Sequence, residues 1–194
     1  MNNTILHINA SAQKGASRSR KMSQHIVDFY NPQYTNQTIQ RDLNQSILFV
    51  DETWVGATFT PVENRNNEQL DKLGFSNKLV SELEEAQTIV IGTPIYNFTI
   101  PASFKAWIDM ICRVGLTFKY TQTGPVGLLE NKKVIIAIAS GGVKIGSDYD
   151  FASPYLKQIF GFVGITDVTI VDTNAFDLEK ESSVIQTQLA EVLS

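Results

Sequence analysis

Residues 6–20, LHINASAQKGASRSR, run from an apolar stretch into a loop that gathers hydroxyls and cations: Ser11, Ser17 and Ser19 beside Lys14, Arg18 and Arg20. Serine at a helix start caps the first N–H groups, and those groups, with the helix dipole, favour an anion. The loop fits neither G-x-x-x-x-G-K-[ST] nor G-x-G-x-x-G, so it does not advertise a nucleoside triphosphate or a dinucleotide pyrophosphate; one terminal phosphate suits it better. Taken alone, the segment is equally a capped helix behind a solvated turn.

Two other segments carry ligand chemistry. In GTPIYNFTIPASFKAWID, residues 92–109, Pro94 stops an apolar run, Pro101 is placed to start a helix, and Tyr96, Asn97 and Phe98 put two aromatic rings and an amide on the loop between them. A flat heteroaromatic ligand accounts for such a loop, and so does packing over the top of the core. In ASGGVKIGSDYD, residues 139–150, Gly141 and Gly142 allow close backbone approach to a ligand and Lys144 adds positive charge. A glycine pair of this kind also makes an ordinary turn.

The elements that must position these loops follow from periodicity. Apolar runs at 4–9, 38–43, 88–93, 133–140 and 167–173 predict five strands, and the segments 19–30, 66–85, 101–112, 154–163 and 179–193 have the lengths of crossover helices. Such β–α–β steps are parallel and right-handed, giving an α/β sandwich with helices on both faces. Residues 44–66 have mixed pattern and are expected to form an irregular, mobile excursion over one face. No boundary divides the chain, so residues 1–194 are expected to form a single domain.

In such sheets ligands sit beyond the carboxyl ends of the strands. The three loops follow the first, third and fourth strands, so one pocket can hold all of them. A phosphate on the first loop and a planar ring between the other two describe flavin mononucleotide, FMN, in a flavodoxin-like three-layer sandwich whose five-stranded parallel sheet has the order 2-1-3-4-5.

Composition narrows the class. A formal net charge of −4 argues against nucleic acid and anionic membranes as partners. The longest apolar run, VIIAIA at 134–139, is far below the ~20 residues of a membrane helix, and MNNTILHINAS lacks a basic segment ahead of a long apolar one. A cytoplasmic protein is expected. Cys112 is the sole cysteine and His7 and His25 the only histidines, so neither a disulfide nor a metal site is expected. Cys112, within an apolar helix segment, is expected to serve packing.

The segments TPIYNF, KAWIDMICRVGLTFKYTQTGPVGLL, SGGV and SPYLKQIFGFVGITDV give the chain, over nearly its whole length, a close resemblance to the FMN-dependent NADH azoreductases, relatives of the NAD(P)H:quinone oxidoreductases. The resemblance implies FMN contacts at Ser11, Ser17, Arg18 and Ser19 for the phosphate, at Pro94, Ile95, Tyr96, Asn97 and Phe98 along the ring, and at Ala139, Ser140, Gly141 and Gly142 near the pyrimidine edge. Relatives often have Met at position 95 and a Ser-Arg-Gly-Gly type sequence where this chain has ASGG, so Ala139 offers no hydroxyl. Lys144 stands where some relatives have His, and an ammonium there would stabilise the reduced flavin and raise its potential; a solvent-facing lysine is the alternative. Tyr120 and Phe162 match aromatics of the relatives' substrate cavity, and core or dimer packing would account for them as well. Trp54 and Phe59 are candidates for a lid supplied by a partner subunit.

The implied activity is ping-pong, two-electron reduction. NADH or NADPH and then a quinone or azo oxidant use one pocket in turn on a homodimer, with one round for a quinone and two for cleavage of an azo bond to amines. FMN carries the chemistry, so no side-chain catalyst is needed. A flavodoxin electron carrier shares the fold and cofactor, but flavodoxins usually lack the FKYTQTGPVGLL insertion. A hydrolase with Ser140 as nucleophile fails for want of G-x-S-x-G, with both histidines ahead of residue 26.

Overall fold

The computed structural model describes residues 4–31, 37–45 and 47–193, so the first three residues of the N-terminal stretch discussed above lie outside the described part. Five parallel strands, β1 (Ile5–Asn9), β2 (Thr38–Asp42), β3 (Thr88–Pro94), β6 (Lys133–Ala139) and β7 (Asp167–Asp172), form one sheet in the order β2-β1-β3-β6-β7. Counted among the sheet strands this is the expected order 2-1-3-4-5. Strands β4 (Phe118–Thr121) and β5 (Gly124–Gly127) make a separate antiparallel hairpin.

Strand alternation divides the core between two helical layers. On one face Ile5, Val90, Ile135 and Val171 pack with Met22 and Ile26 of α1 (Arg18–Tyr30) and Ile185 and Leu189 of α6 (Ser182–Leu193). On the other, Ile8, Ile91, Val134 and Ile136 pack with α3 (Asn67–Glu85), α4 (Ala102–Ile111) and α5 (Ala152–Phe162). Phe104 and Trp107, both fully buried on α4, fill the second layer; a buried aromatic of this size contributes on the order of 2–3 kcal/mol. Strand β3 is buried along its whole length, as a central parallel strand covered on both faces requires.

Residues 44–66 differ from expectation. They hold a helix, α2 (Glu52–Phe59), and a 3-10 turn, Val62–Asn64. Asp51 caps α2 by accepting from Trp54 N at 2.8 Å, and its carboxylate also pairs with Lys72 of α3, against which α2 packs. Gly56 and the β-branched Thr53, Val55 and Thr58 weaken the intrinsic helix signal, so tertiary packing decides the conformation. Trp54 is 8% exposed, packed within its own chain, whereas Phe59 is 83% exposed.

Candidate active site

The loops after β1, β3 and β6 leave the sheet side by side because their strands are neighbours in register: Asn9 lies beside Gly92, and Pro94 beside Ala139. Ile95 N donates to Ala139 O at 2.8 Å, which carries the β3–β6 pairing one residue into the loops. Ser11, Ser17, Arg18, Ser19, Pro94, Ile95, Tyr96, Ala139, Ser140 and Gly141 thereby line one cavity of about 350 Å³. Gln13 and Ala16 line it too, and no motif singled them out.

The first loop supplies the polar end. Ser17 caps α1, its hydroxyl accepting from Arg20 N at 3.3 Å and lying 3.2 Å from Ser19 Oγ. The first turn of α1 holds no acidic residue, and helix geometry leaves its leading N–H groups without partners inside the helix. An anion is thus met by hydroxyls, amides and the positive end of a dipole. Arg18 lines the cavity while its guanidinium is held aside, donating to Thr173 O at 2.7 Å and Phe176 O at 2.9 Å.

The loop's shape depends on a residue that charge counting alone would misassign. Arg20 donates through Nε and an Nη to Ser11 O, at 3.1 and 2.6 Å, and pairs with Asp42 at 2.9 Å. Asn44 Nδ2 adds a third bond to the same carbonyl at 2.9 Å. Partial burial works against the Asp42 carboxylate, yet the Arg20 and Asn44 hydrogen bonds outweigh it and hold its pKa below the ordinary value. Three donors on one carbonyl fix the Ser11 peptide and so aim the loop.

The second loop is a tight turn. Tyr96 and Thr99 exchange backbone hydrogen bonds of 2.9 and 3.2 Å, and the two residues between them, Asn97 and Phe98, have positive φ of 49° and 73°. A phenylalanine in the left-handed region is strained. Phe98 is 53% exposed, with its ring 6.5 Å from that of Tyr149. Together with Gly142, Val143, Lys144 and Ser147 these two rings line a further cavity of about 380 Å³. Phe98, Gly142 and Lys144 thus belong to this second cavity, and Asn97 occupies the turn that presents Phe98.

In the third loop Ser140 is engaged by its own chain: its hydroxyl accepts from Gly142 N at 3.3 Å and Val143 N at 2.8 Å. An added Cβ at Gly141 or Gly142 would meet nothing within 4 Å, so the protein's own packing does not demand glycine there and the space belongs to a ligand or to solvent. Asp150 pins the loop's far end, accepting from Gly146 N, Ala152 N and Ser153 N at 2.8–3.0 Å.

Tyr120 and Phe162 lie elsewhere. Tyr120, 70% exposed on the hairpin, and Phe162 of α5 both pack on Phe118, at ring-centroid distances of 5.5 and 4.4 Å. Tyr120 faces a cavity shared with Trp54, Phe59 and Arg113 rather than the one at the strand ends. Among the described residues no group of three or more His, Cys, Asp or Glu is arranged to hold a metal ion, and no helix is long and apolar enough to cross a membrane.

The family of the flavodoxin-like fold matches residues 3–194. The chain is 47% identical over 187 residues to FMN-dependent NADH:quinone oxidoreductase 1 of Jannaschia sp., covering 95% of this chain and 96% of that one. It is 46% identical over 186 residues to the protein of the same name in Colwellia psychrerythraea, covering 96% and 97%. Among solved structures, azoreductase AzrA superimposes with a TM-score of 0.82 at 27% identity, covering 97% of this chain and 98% of that one. The FMN complex of an FMN-dependent NADH-azoreductase from Bacillus anthracis gives 0.80 at 27% identity, covering 98% and 100%. With the family match, the sequence identity and the shared fold in agreement, the chain belongs to the flavodoxin-like family and, within it, to the FMN-dependent NADH:quinone oxidoreductases and NADH-azoreductases.

Proposed function

We infer that this protein is an FMN-dependent NADH:quinone oxidoreductase that also cleaves aromatic azo bonds reductively. The observation that carries this is the convergence of three strand-end loops on one cavity, polar and anion-suited at α1 and aromatic at Tyr96, in a chain nearly half identical to enzymes of that name. The donor set fits the cofactor. Ser11, Ser17, Ser19 and the first amides of α1 would hold the phosphate, Pro94, Ile95 and Tyr96 would lie along the ring, and Gly141 would leave room for its pyrimidine edge, with Gly142 on the adjoining cavity. When bound, FMN supplies the redox centre that takes hydride from NADH and passes it to the oxidant.

The chain's own residues bind and orient. Ser17 and Ser19 meet negative charge with neutral donors, leaving Arg18 and Arg20 to build the loop. Phe98 and Tyr149 offer flat apolar surface to the nicotinamide and then to an aromatic oxidant, so both substrates compete for one place. Lys144, exposed on the same cavity, would place a positive charge beside a bound FMN and so favour its holding negative charge.

The active form is a homodimer in the cytoplasm. Phe59, Val62, Val114 and Tyr120 are each more than half exposed around neighbouring cavities, a cluster suited to burial against a second copy. Tyr120 then serves a substrate bound at the partner's cofactor. Purified protein should be yellow, hold one FMN per chain, consume NADH with a quinone along parallel double-reciprocal lines, and sediment as a dimer. A colourless protein indifferent to added FMN would refute the assignment; FMN binding without NADH oxidation would return it to the flavodoxin carriers.

A further inference from the structure

The 3-10 turn that follows β7, Thr173–Ala175, is bonded to two residues of the cofactor cavity's wall without lining the cavity itself. Arg18 of the first loop donates to Thr173 O at 2.7 Å and to Phe176 O at 2.9 Å, and Asn174 Nδ2 donates to Ser140 O of the third loop at 2.8 Å. The turn is held fast. Asp172 accepts from Asn174 N at 2.9 Å, Thr173 is fully buried, and Phe176 and Leu178 are packed into the core on the α1 side of the sheet.

Ser140 O belongs to the peptide that also carries the Gly141 N–H. A trans peptide is planar with its N–H opposite its C=O, so a carbonyl held toward Asn174 turns the Gly141 N–H to the other side. Gly141 lines the cavity and Asn174 does not. The next two amides are already taken, since Gly142 N and Val143 N donate to Ser140 Oγ at 3.3 and 2.8 Å, whereas Gly141 N has no partner among the described residues. The peptide before is fixed as well, with Ile95 N donating to Ala139 O at 2.8 Å. One amide of this run is left to donate to a ligand. A Cβ on Gly141 would meet nothing within 4 Å, so the approach to that amide is open.

We propose that Asn174 is a positioning residue for the flavin: it holds the Ser140–Gly141 peptide so that the Gly141 N–H meets an acceptor atom on the ring's pyrimidine edge. This rests on the FMN reading given above. Asn174 acts through Gly141 and touches no ligand. Because Arg18 grips the same turn, the ring end of the cavity and the phosphate loop are set against one support.

Two variants test this: Asn174→Ala, and the near-isosteric Asn174→Asp, which keeps the shape but offers Ser140 O no donor. Apoprotein is titrated with FMN and with riboflavin and read by flavin fluorescence quenching. Asn174 is exposed, so Asn174→Ala should keep the wild-type urea midpoint. In both variants FMN and riboflavin should bind about fivefold more weakly, by the same factor, because the bond lost lies at the ring and not at the phosphate. A turn that served only to seat Arg18 would weaken FMN and spare riboflavin. Reduction adds electron density to the ring edge and strengthens a bond donated there, so reduced FMN should lose about fivefold more affinity than oxidised FMN. That ratio corresponds to a fall of about 20 mV in midpoint potential, read by equilibration with a reference dye. Wild-type affinity or a wild-type potential in both variants overturns the proposal and leaves the cofactor reading intact. So does a loss confined to Asn174→Ala, which would assign the side chain to filling space, or a loss confined to FMN. A wild-type chain that binds neither flavin overturns both.

Discussion

A Cβ placed on Gly92 would stand 2.6 Å from the carbonyl oxygen of Ser19 and 2.6 Å from Ser23 Oγ, so strand β3 carries the first turn of α1 in backbone contact. Gly92→Ala must push that turn away from the sheet, and on the proposed function that turn would offer its amides to the FMN phosphate. A loss of about 1–3 kcal/mol in urea unfolding is expected, together with weaker FMN binding. Gly74→Ala is the control: its added methyl meets nothing within 4 Å on helix α3, and it should stabilise by up to ~1 kcal/mol while leaving FMN affinity alone. Equal FMN affinity in wild type and Gly92→Ala would show that the contact does not set the loop.

The bond network from Arg20 to Ser11 O and Asp42 predicts a selective defect. Arg20→Gln and Asp42→Asn each loosen the loop that meets the phosphate without touching the ring. FMN affinity should fall about tenfold and riboflavin affinity stay near the wild-type value, read by flavin fluorescence quenching. Asp42 has a depressed folded-state pKa, so its contribution is fully present above the unfolded value and is lost as pH falls through the folded one. Asp42→Asn, which has no carboxylate to protonate, should therefore bind FMN more weakly than wild type near neutrality yet lose less of that affinity on acidification.

Much of this architecture is legible in the chain itself, and the exceptions share a cause. Strands and crossover helices of the sheet fall within a few residues of their expected limits because each buries a continuous or 3.6-periodic apolar face. The convergence of the loops after β1, β3 and β6 on one cavity is legible for the same reason, since the strand order fixes where they emerge. Helix α2 is not, because its weak local signal is overridden by Asp51, Lys72 and packing on α3. Nor is the β4–β5 hairpin: GPVG has no strand pattern, and it is seated by Gly127, where a Cβ would lie 2.1 Å from Gly164 N. The bracing of Ser11 by Asn44, and of Arg20 by Asp42, joins residues more than twenty positions apart, which no local pattern connects.

His7 predicts how the fold responds to acid. It is buried on β1 with Nε2 2.8 Å from Ser23 Oγ, and burial lowers its pKa from 6.5 to about 4, the Asp28 charge opposing this only in part. Below pH 6.5 the unfolded chain takes up a proton that the folded chain refuses, so unfolding becomes easier as pH falls, until the folded histidine also protonates near 4. The loss across that window is on the order of 3 kcal/mol. His7→Gln should cost about 1 kcal/mol at pH 7 through its altered bond to Ser23 and flatten the slope between pH 6.5 and 4. Unfolding curves that keep their wild-type pH dependence in this variant would assign the slope to other groups.

Phe98 separates the strain of the second loop from its purpose. Its φ of 73° is held by the paired hydrogen bonds between Tyr96 and Thr99 and by Phe151 N donating to Phe98 O at 3.2 Å. Glycine adopts this conformation without the Cβ clash, so Phe98→Gly should match or exceed wild-type stability, by up to about 1 kcal/mol. Phe98→Ala keeps the clash and loses the ring, so it should gain nothing. If the exposed ring forms one wall for an aromatic oxidant, both variants should raise KM for a quinone several-fold, with FMN content unchanged, because the wall is lost in both and the strain in only one. A stability gain in Phe98→Gly with an unaltered KM would mean that the turn carries its strain for some end other than substrate contact.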